Sequence, residues 1–234
     1  MPKSSSGKSS FSHIVTLILL AALLVSGLRV SRTVSAATLR TWTGGHPPTA
    51  LSSPTNWAGN VAPVAGDDLL FPAGPKRKSI RNNYPNGTTF NSLNFSGSNY
   101  NLRKNSLTLT GGINSSNATG SNQISLPLQL NGAQAFTSTN VGTLNLNGQI
   151  GLSGNLLTVT GPGKTSANGV ISGTATSGIT KNGSGTLTLS ANNTYTGVTT
   201  VNGGLLLVNG QQYSLSTVTR IENTPPAADL PPAA

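Results

Sequence analysis

Four acids and two histidines are the chain's whole stock of acid–base groups: Asp67, Asp68, Glu222, Asp229, His13 and His46. The paired carboxylates of a glycosidase converge across a cleft, roughly 5–10 Å apart. Asp67 and Asp68 are adjacent, and neighbours on a strand point to opposite faces, so they do not make such a pair. Glu222 and Asp229 lie in or beside a Pro-rich C-terminal stretch, and His13 lies in an apolar leader, which leaves His46 alone. A Ser-His-Asp triad or a histidine zinc centre needs more than this. Asp67-Asp68 could lend oxygens to calcium, but calcium takes six to eight of them, and a turn-and-cap role is the expectation. Cysteine is absent, which excludes thiolate nucleophiles, disulfides and Cys-based metal sites. Gly161-Pro162-Gly163-Lys164 lacks the spacing and context of a phosphate loop. No catalytic residue, metal ligand or cofactor is expected, and the chain reads as a non-enzyme.

Cationic side chains are the other chemical resource. Lys76, Arg77, Lys78 and Arg81 cluster within six residues. Such a cluster could touch a surface polysaccharide or another polyanion. The plainer reading is a solvated loop at the junction of two regions. No aromatics are interleaved with these cations, so a specific nucleic-acid platform is not expected.

The elements that would carry these groups are strands. Gly, Ser, Thr and Asn number 28, 29, 30 and 25, nearly half of 234 residues, a composition rich in turns and poor in helix formers. Charged residues make up 8%, against about 25% in an average soluble protein. Short apolar–polar alternations recur: Phe90, Leu93 and Phe95; Leu107 and Leu109; Leu144 and Leu146; Leu157 and Val159; Leu187 and Leu189; Leu205 to Val208. The cleanest run is Ile124, Leu126, Leu128 and Leu130. Pro127 within it would remove a ladder donor, which predicts a bulge or an edge there. A period of two marks half-buried strands. Similar steps lead from Leu107 to Leu126, from Leu126 to Leu144 and from Leu187 to Leu205, whereas Leu144 to Leu157 is a shorter one. Strand-plus-turn units of roughly 20 residues predict an all-β solenoid, a right-handed parallel β-helix. Seven Asn-Gly pairs, each a strong hairpin signal, keep an antiparallel β-sandwich as the alternative.

Four regions follow. Residues 1–36 read as a signal peptide: Lys3 and Lys8, then a twelve-residue apolar run from Ile14 to Val25, then Val34-Ser35-Ala36 as a small-residue cleavage site. That run is short of the roughly 20 residues that span a bilayer; an uncleaved anchor is the alternative. Removing Lys3, Lys8, Arg29 and Arg32 takes the net charge from +10 to +6. Residues 37–85 contain both tryptophans, Trp42 and Trp57, and are expected to cap the solenoid, with sugar stacking as the other reading. Residues 86–210 are the repeat region. Residues 211–234 are expected to form a partial cap over the last strand edge and a disordered Pro/Ala-rich tail. Unpaired strand edges at the ends would favour self-association.

Residues 178–210 carry a more specific signal: Lys181-Asn182-Gly183-Ser184-Gly185-Thr186-Leu187-Thr188-Leu189, then Asn193-Thr194-Tyr195-Thr196-Gly197, then Thr199-Thr200-Val201 and Gly203-Gly204. This wording resembles the autotransporter-associated β-strand repeat, also called the passenger-associated transport repeat. The resemblance implies a parallel β-helix in a protein secreted to the bacterial surface, in a structural or adhesive role, and it implies no particular ligand. The C-terminal membrane barrel of an autotransporter, with strands of roughly ten alternating residues, is not found in this chain, so a truncated passenger is one alternative. A carbohydrate-binding protein or a carbohydrate-active β-helix, such as a polysaccharide lyase, is another. A lyase needs clustered acids beside a Lys or Arg base, and residues 86–210 contain no acid.

Overall fold

The computed structural model describes residues 37–214 and the backbone of residues 221–222. The signal peptide expected at 1–36, with His13, residues 215–220 of the expected partial cap, and the Pro/Ala-rich tail from Thr224, with Asp229, lie outside the described residues. The chain is nearly all β, 47% strand against 3% helix, wound into a β-solenoid of about six turns.

The coils are built on three parallel ladders. The first ladder runs Leu39–Thr41, Asp68–Phe71, the second half of Thr88–Phe95, the second half of Leu107–Ser115, Gln134–Ser138, Leu156–Thr160, Gly178–Lys181 and Val198–Val201. The second stacks Ser79–Asn82, Asn101–Lys104, Ser121–Ile124, Thr143–Leu146, Lys164–Ala167, Thr186–Leu189 and Leu205–Val208. The third is shorter, joining the first halves of Thr88–Phe95 and Leu107–Ser115 to Leu128–Leu130, Ile150–Gly151 and Ile171–Ser172. A register shift between Phe90 and Ser92 lets one long strand serve two ladders.

Alternation along each strand turns one row of side chains inward. In the second ladder Ile80, Leu102, Ile124, Leu146, Ala167, Leu189 and Val208 fall in register, and all but Val208 are buried. In the third, Leu107, Leu128, Ile150 and Ile171 do the same. No single turn could bury such a row alone; stacking makes one continuous core.

Parallel pairing throughout the coils replaces the antiparallel sandwich. The middle coils are longer than the leucine spacing predicts. Ile80, Leu102, Ile124 and Leu146 hold one register position in successive coils, a wider step than that from Leu107 to Leu126. The steps through Leu126 joined residues that are not register partners, since Leu107 lies opposite Leu128; Leu187 and Leu205 share the second ladder but miss register by one residue, Leu187 lying opposite Leu206. The run from Ile124 to Leu130 is not one strand, because Pro127 sits at a corner between the strands ending at Ile124 and starting at Leu128. It has no N–H to give the ladder, while its carbonyl accepts from Leu107 N at 3.0 Å. Six of the seven Asn-Gly pairs are likewise corners between parallel strands. Asn209-Gly210 alone closes a hairpin, with φ of 48° and 82° at its two residues, folding Gln211–Ser214 antiparallel onto Leu205–Val208. Ile221–Glu222 pairs antiparallel with Val198–Val201.

At the other end, parallel pairing begins at Leu39, upstream of residue 86. Trp42 and Trp57 are buried edge to face, 5.2 Å between centroids, over Phe71, which stacks on Phe95 at 4.9 Å. Their Nε1 groups donate to Arg77 O at 2.9 Å and Leu51 O at 2.7 Å. Rings buried this way close the core and present no face for a sugar.

Candidate functional site

Both described acidic side chains are already committed. Asp67 Oδ2 accepts from Arg40 Nε at 2.8 Å and from Val64 N at 3.0 Å. Asp68 Oδ1 accepts from Asn91 Nδ2 at 2.8 Å and from the Ser92 hydroxyl. They brace the first ladder against the cap. His46 is exposed, its backbone N–H donating to Asn56 Oδ1. Among the described residues no three of His, Cys, Asp and Glu come together as a metal cluster.

The four cations expected from the sequence do gather, at the corner entering the second ladder, but they divide by role. Arg77 reaches back to Gly45 O at 3.0 Å and Gly44 O at 3.3 Å, while its own carbonyl holds Trp42. Lys78 donates to Ser98 O at 2.8 Å and lies 5.2 Å from the centre of the Tyr100 ring. These two tie cap to coil. Lys76 and Arg81 are exposed, and their side chains have no hydrogen-bond or ion-pair partner among the described residues. At Lys76 lies an open groove of about 590 Å³, lined also by Trp42, Gly44, Pro72, Pro75 and Arg77 among others.

Two members of the group were missed in the sequence. Arg103 pairs in register with Arg81 on the adjoining strand, and Lys104 follows it; both are exposed and equally unpartnered. The signal that could have found Arg103 is its distance along the chain from Arg81, which equals that from Ile80 to Leu102 and is one full coil. A shorter period does not align the two.

Lys181 is the other missed residue. It occupies an inward position in the first ladder between Val159 and Val201, and is 1% exposed. Its Nζ donates to Asn182 O at 2.7 Å, Gly183 O at 3.0 Å and Gly203 O at 3.3 Å, joining one corner to the next coil's. Burial lowers its pKa from the usual lysine value. Next to it, Asn202 Nδ2 donates to Asn182 Oδ1 at 2.9 Å, so the corners themselves stack.

Three parallel ladders and a ring-filled cap define a β-solenoid. Residues 179–208 match the family model of the passenger-associated-transport-repeat. That stretch is one coil and more, from Ile179 to Val208, and includes Lys181 with the stacked corners. The chain thus carries a passenger-associated transport repeat within a β-helical fold. No curated protein and no solved structure matches it.

Proposed function

We propose that this chain is a secreted, non-catalytic structural or adhesive element of the bacterial cell surface. The observation that carries the reading is the transport repeat lying in register within a continuous parallel solenoid. The exterior supports it: outward positions such as Asn145, Ser166 and Thr188 form a neutral polar row, suited to a solvated rod. The committed carboxylates of Asp67 and Asp68 support a role without turnover.

Protease shaving and antibody labelling of intact producing cells test the location. Release of solenoid fragments, with labelling of unbroken cells, is expected. Protein found wholly inside the cytoplasm would overturn the surface reading. Incubation with pectic and alginate-like polysaccharides should yield no new chain ends; turnover lost on Asp67→Asn or Asp68→Asn would make the protein an enzyme.

A further inference from the structure

Nine Lys and Arg residues lie in the described chain, and six of them fall within residues 76–104: Lys76, Arg77, Lys78, Arg81, Arg103 and Lys104. Neither described acidic side chain lies there. Asp67 and Asp68 belong to the first ladder and are bound within it. Arg81 and Arg103 are directly paired in register on adjacent strands, both pointing outward beside the buried Ile80 and Leu102. Like charges set opposite each other in a sheet repel. Nothing in the described chain relieves them: Lys76, Arg81, Arg103 and Lys104 have no partner. Lys104 is turned out at the corner by a positive φ of 91°.

We propose that this cation row is a docking site for a linear polyuronate, a carboxylate-bearing polysaccharide lying along the solenoid axis. Adjacent strands stand about 4.8 Å apart, so Arg81 and Arg103 present one doubled cationic spot that a carboxylate on the near face of an extended chain can meet. The guanidinium forks of Arg81 and Arg103 match carboxylates two bonds at a time. Beside them runs a second outward row, Ser79, Asn101 and Gln123, with amides and a hydroxyl for sugar hydroxyls. Nucleic acid fits less well. Among the described residues the large exposed apolar side chains are Leu39, Val61, Val64, Val141 and Leu156, none of them aromatic; Tyr100 is buried beneath Lys78 and the half-buried Tyr84 ring packs edge-on against Phe90, so no aromatic platform lies open to bases.

The inference goes beyond a surface role and does not depend on it, because it concerns the purified chain. The test is fluorescence anisotropy with labelled oligogalacturonate at low salt, competed by dextran and by single- and double-stranded DNA. Saturable binding that weakens as salt rises is expected. Lys76→Ser, Arg81→Ser, Arg103→Ser and Lys104→Asn combined should weaken it at least tenfold with the melting temperature kept. Lys164→Ser, on the same ladder farther along, should leave it unchanged. If the fourfold variant does not fold, Arg81→Ser with Arg103→Ser alone should still lose most of the binding. Absence of binding by the parent overturns the proposal, as does equal loss on Lys164→Ser. Displacement by dextran, or by DNA more readily than by unlabelled oligogalacturonate, overturns the choice of partner. Failure of the shaving experiment with binding intact would remove the surface reading and leave this site standing.

Discussion

Lys181 places an ammonium where its neighbours in the same inward row are Val159 and Val201. A buried charge persists when its donors are satisfied, and here three backbone carbonyls satisfy them. Lys181→Met keeps the stem and strands those carbonyls; a loss of about 1–3 kcal/mol in urea unfolding is expected. Gln134 is the opposite case. Its Nε2 donates to Leu109 O, which Asn131 N already serves, and its Oε1 is buried without a partner. Gln134→Leu should therefore be neutral or stabilising by about 1 kcal/mol, read from the same unfolding curves. Titration adds a third expectation. Burial raises the pKa of Tyr84, Tyr100 and Tyr195 above 10, with the Asp67 charge adding to the rise at Tyr84 and the Thr199 bond opposing it at Tyr195. Above pH 10 the unfolded chain releases these protons before the folded one does. Stability present below that pH should fall as pH rises past it. Lys181 works in the other direction, gaining stability with pH below 10.5, and is one group against three. Tyr100→Phe should flatten the alkaline fall in melting temperature.

At the scale of elements, corners matter as much as strands. The coils approach so closely at Gly185 that a Cβ there would lie 2.0 Å from Gly163 O, a backbone atom that cannot swing aside. Gly185→Ala should cost about 1–3 kcal/mol or prevent folding. Gly74, with nothing within 4 Å and no positive φ, is the matched control, and Gly74→Ala should change the melting temperature little. The hairpin at Asn209-Gly210 has a different task. It covers the outer edge of Leu205–Val208 with an antiparallel strand that a further parallel coil would otherwise need to supply. Removing everything after Gly210 exposes that edge, and end-to-end association by light scattering is expected. A truncated chain as monomeric as its parent would mean that the edge is guarded by its own turns.

Over the whole molecule, stability is close to one-dimensional, since each coil touches chiefly the coils before and after it. The two ends are unequal. One is sealed by Trp42 and Trp57 over Phe71, Phe95 and Tyr100, the other by short antiparallel strands. Amide exchange should accordingly be slowest in the middle coils, around Ile124, Leu146 and Leu130, and faster toward Leu205–Val208 than at the aromatic end. With so few charges, the hydrogen-bonding capacity of the exterior comes from Ser, Thr and Asn.

Alternation of Leu, Ile and Val with Thr, Ser and Asn was enough to dictate an all-β chain, because inward and outward rows are local properties of a strand. The repeat wording around Lys181 to Gly204 was likewise legible as short motifs in fixed order, although Gly185 and Gly197 answer the backbone of the preceding coil and not a local corner. Direction of pairing was not local. Asn-Gly serves a hairpin at 209–210 and a parallel corner at 182–183, and only the neighbouring coil decides which. The period, too, was settled by stacking: three ladders of unequal strand length make the step from Ile80 to Leu102 one turn, although leucines nearer in sequence look like the better match. The same stacking set Arg103 against Arg81, split the basic cluster into two structural braces and a free cation row, and turned both tryptophans into a cap. Those outcomes depend on which residues come together across a full coil, and that contact exists only once the chain has wound.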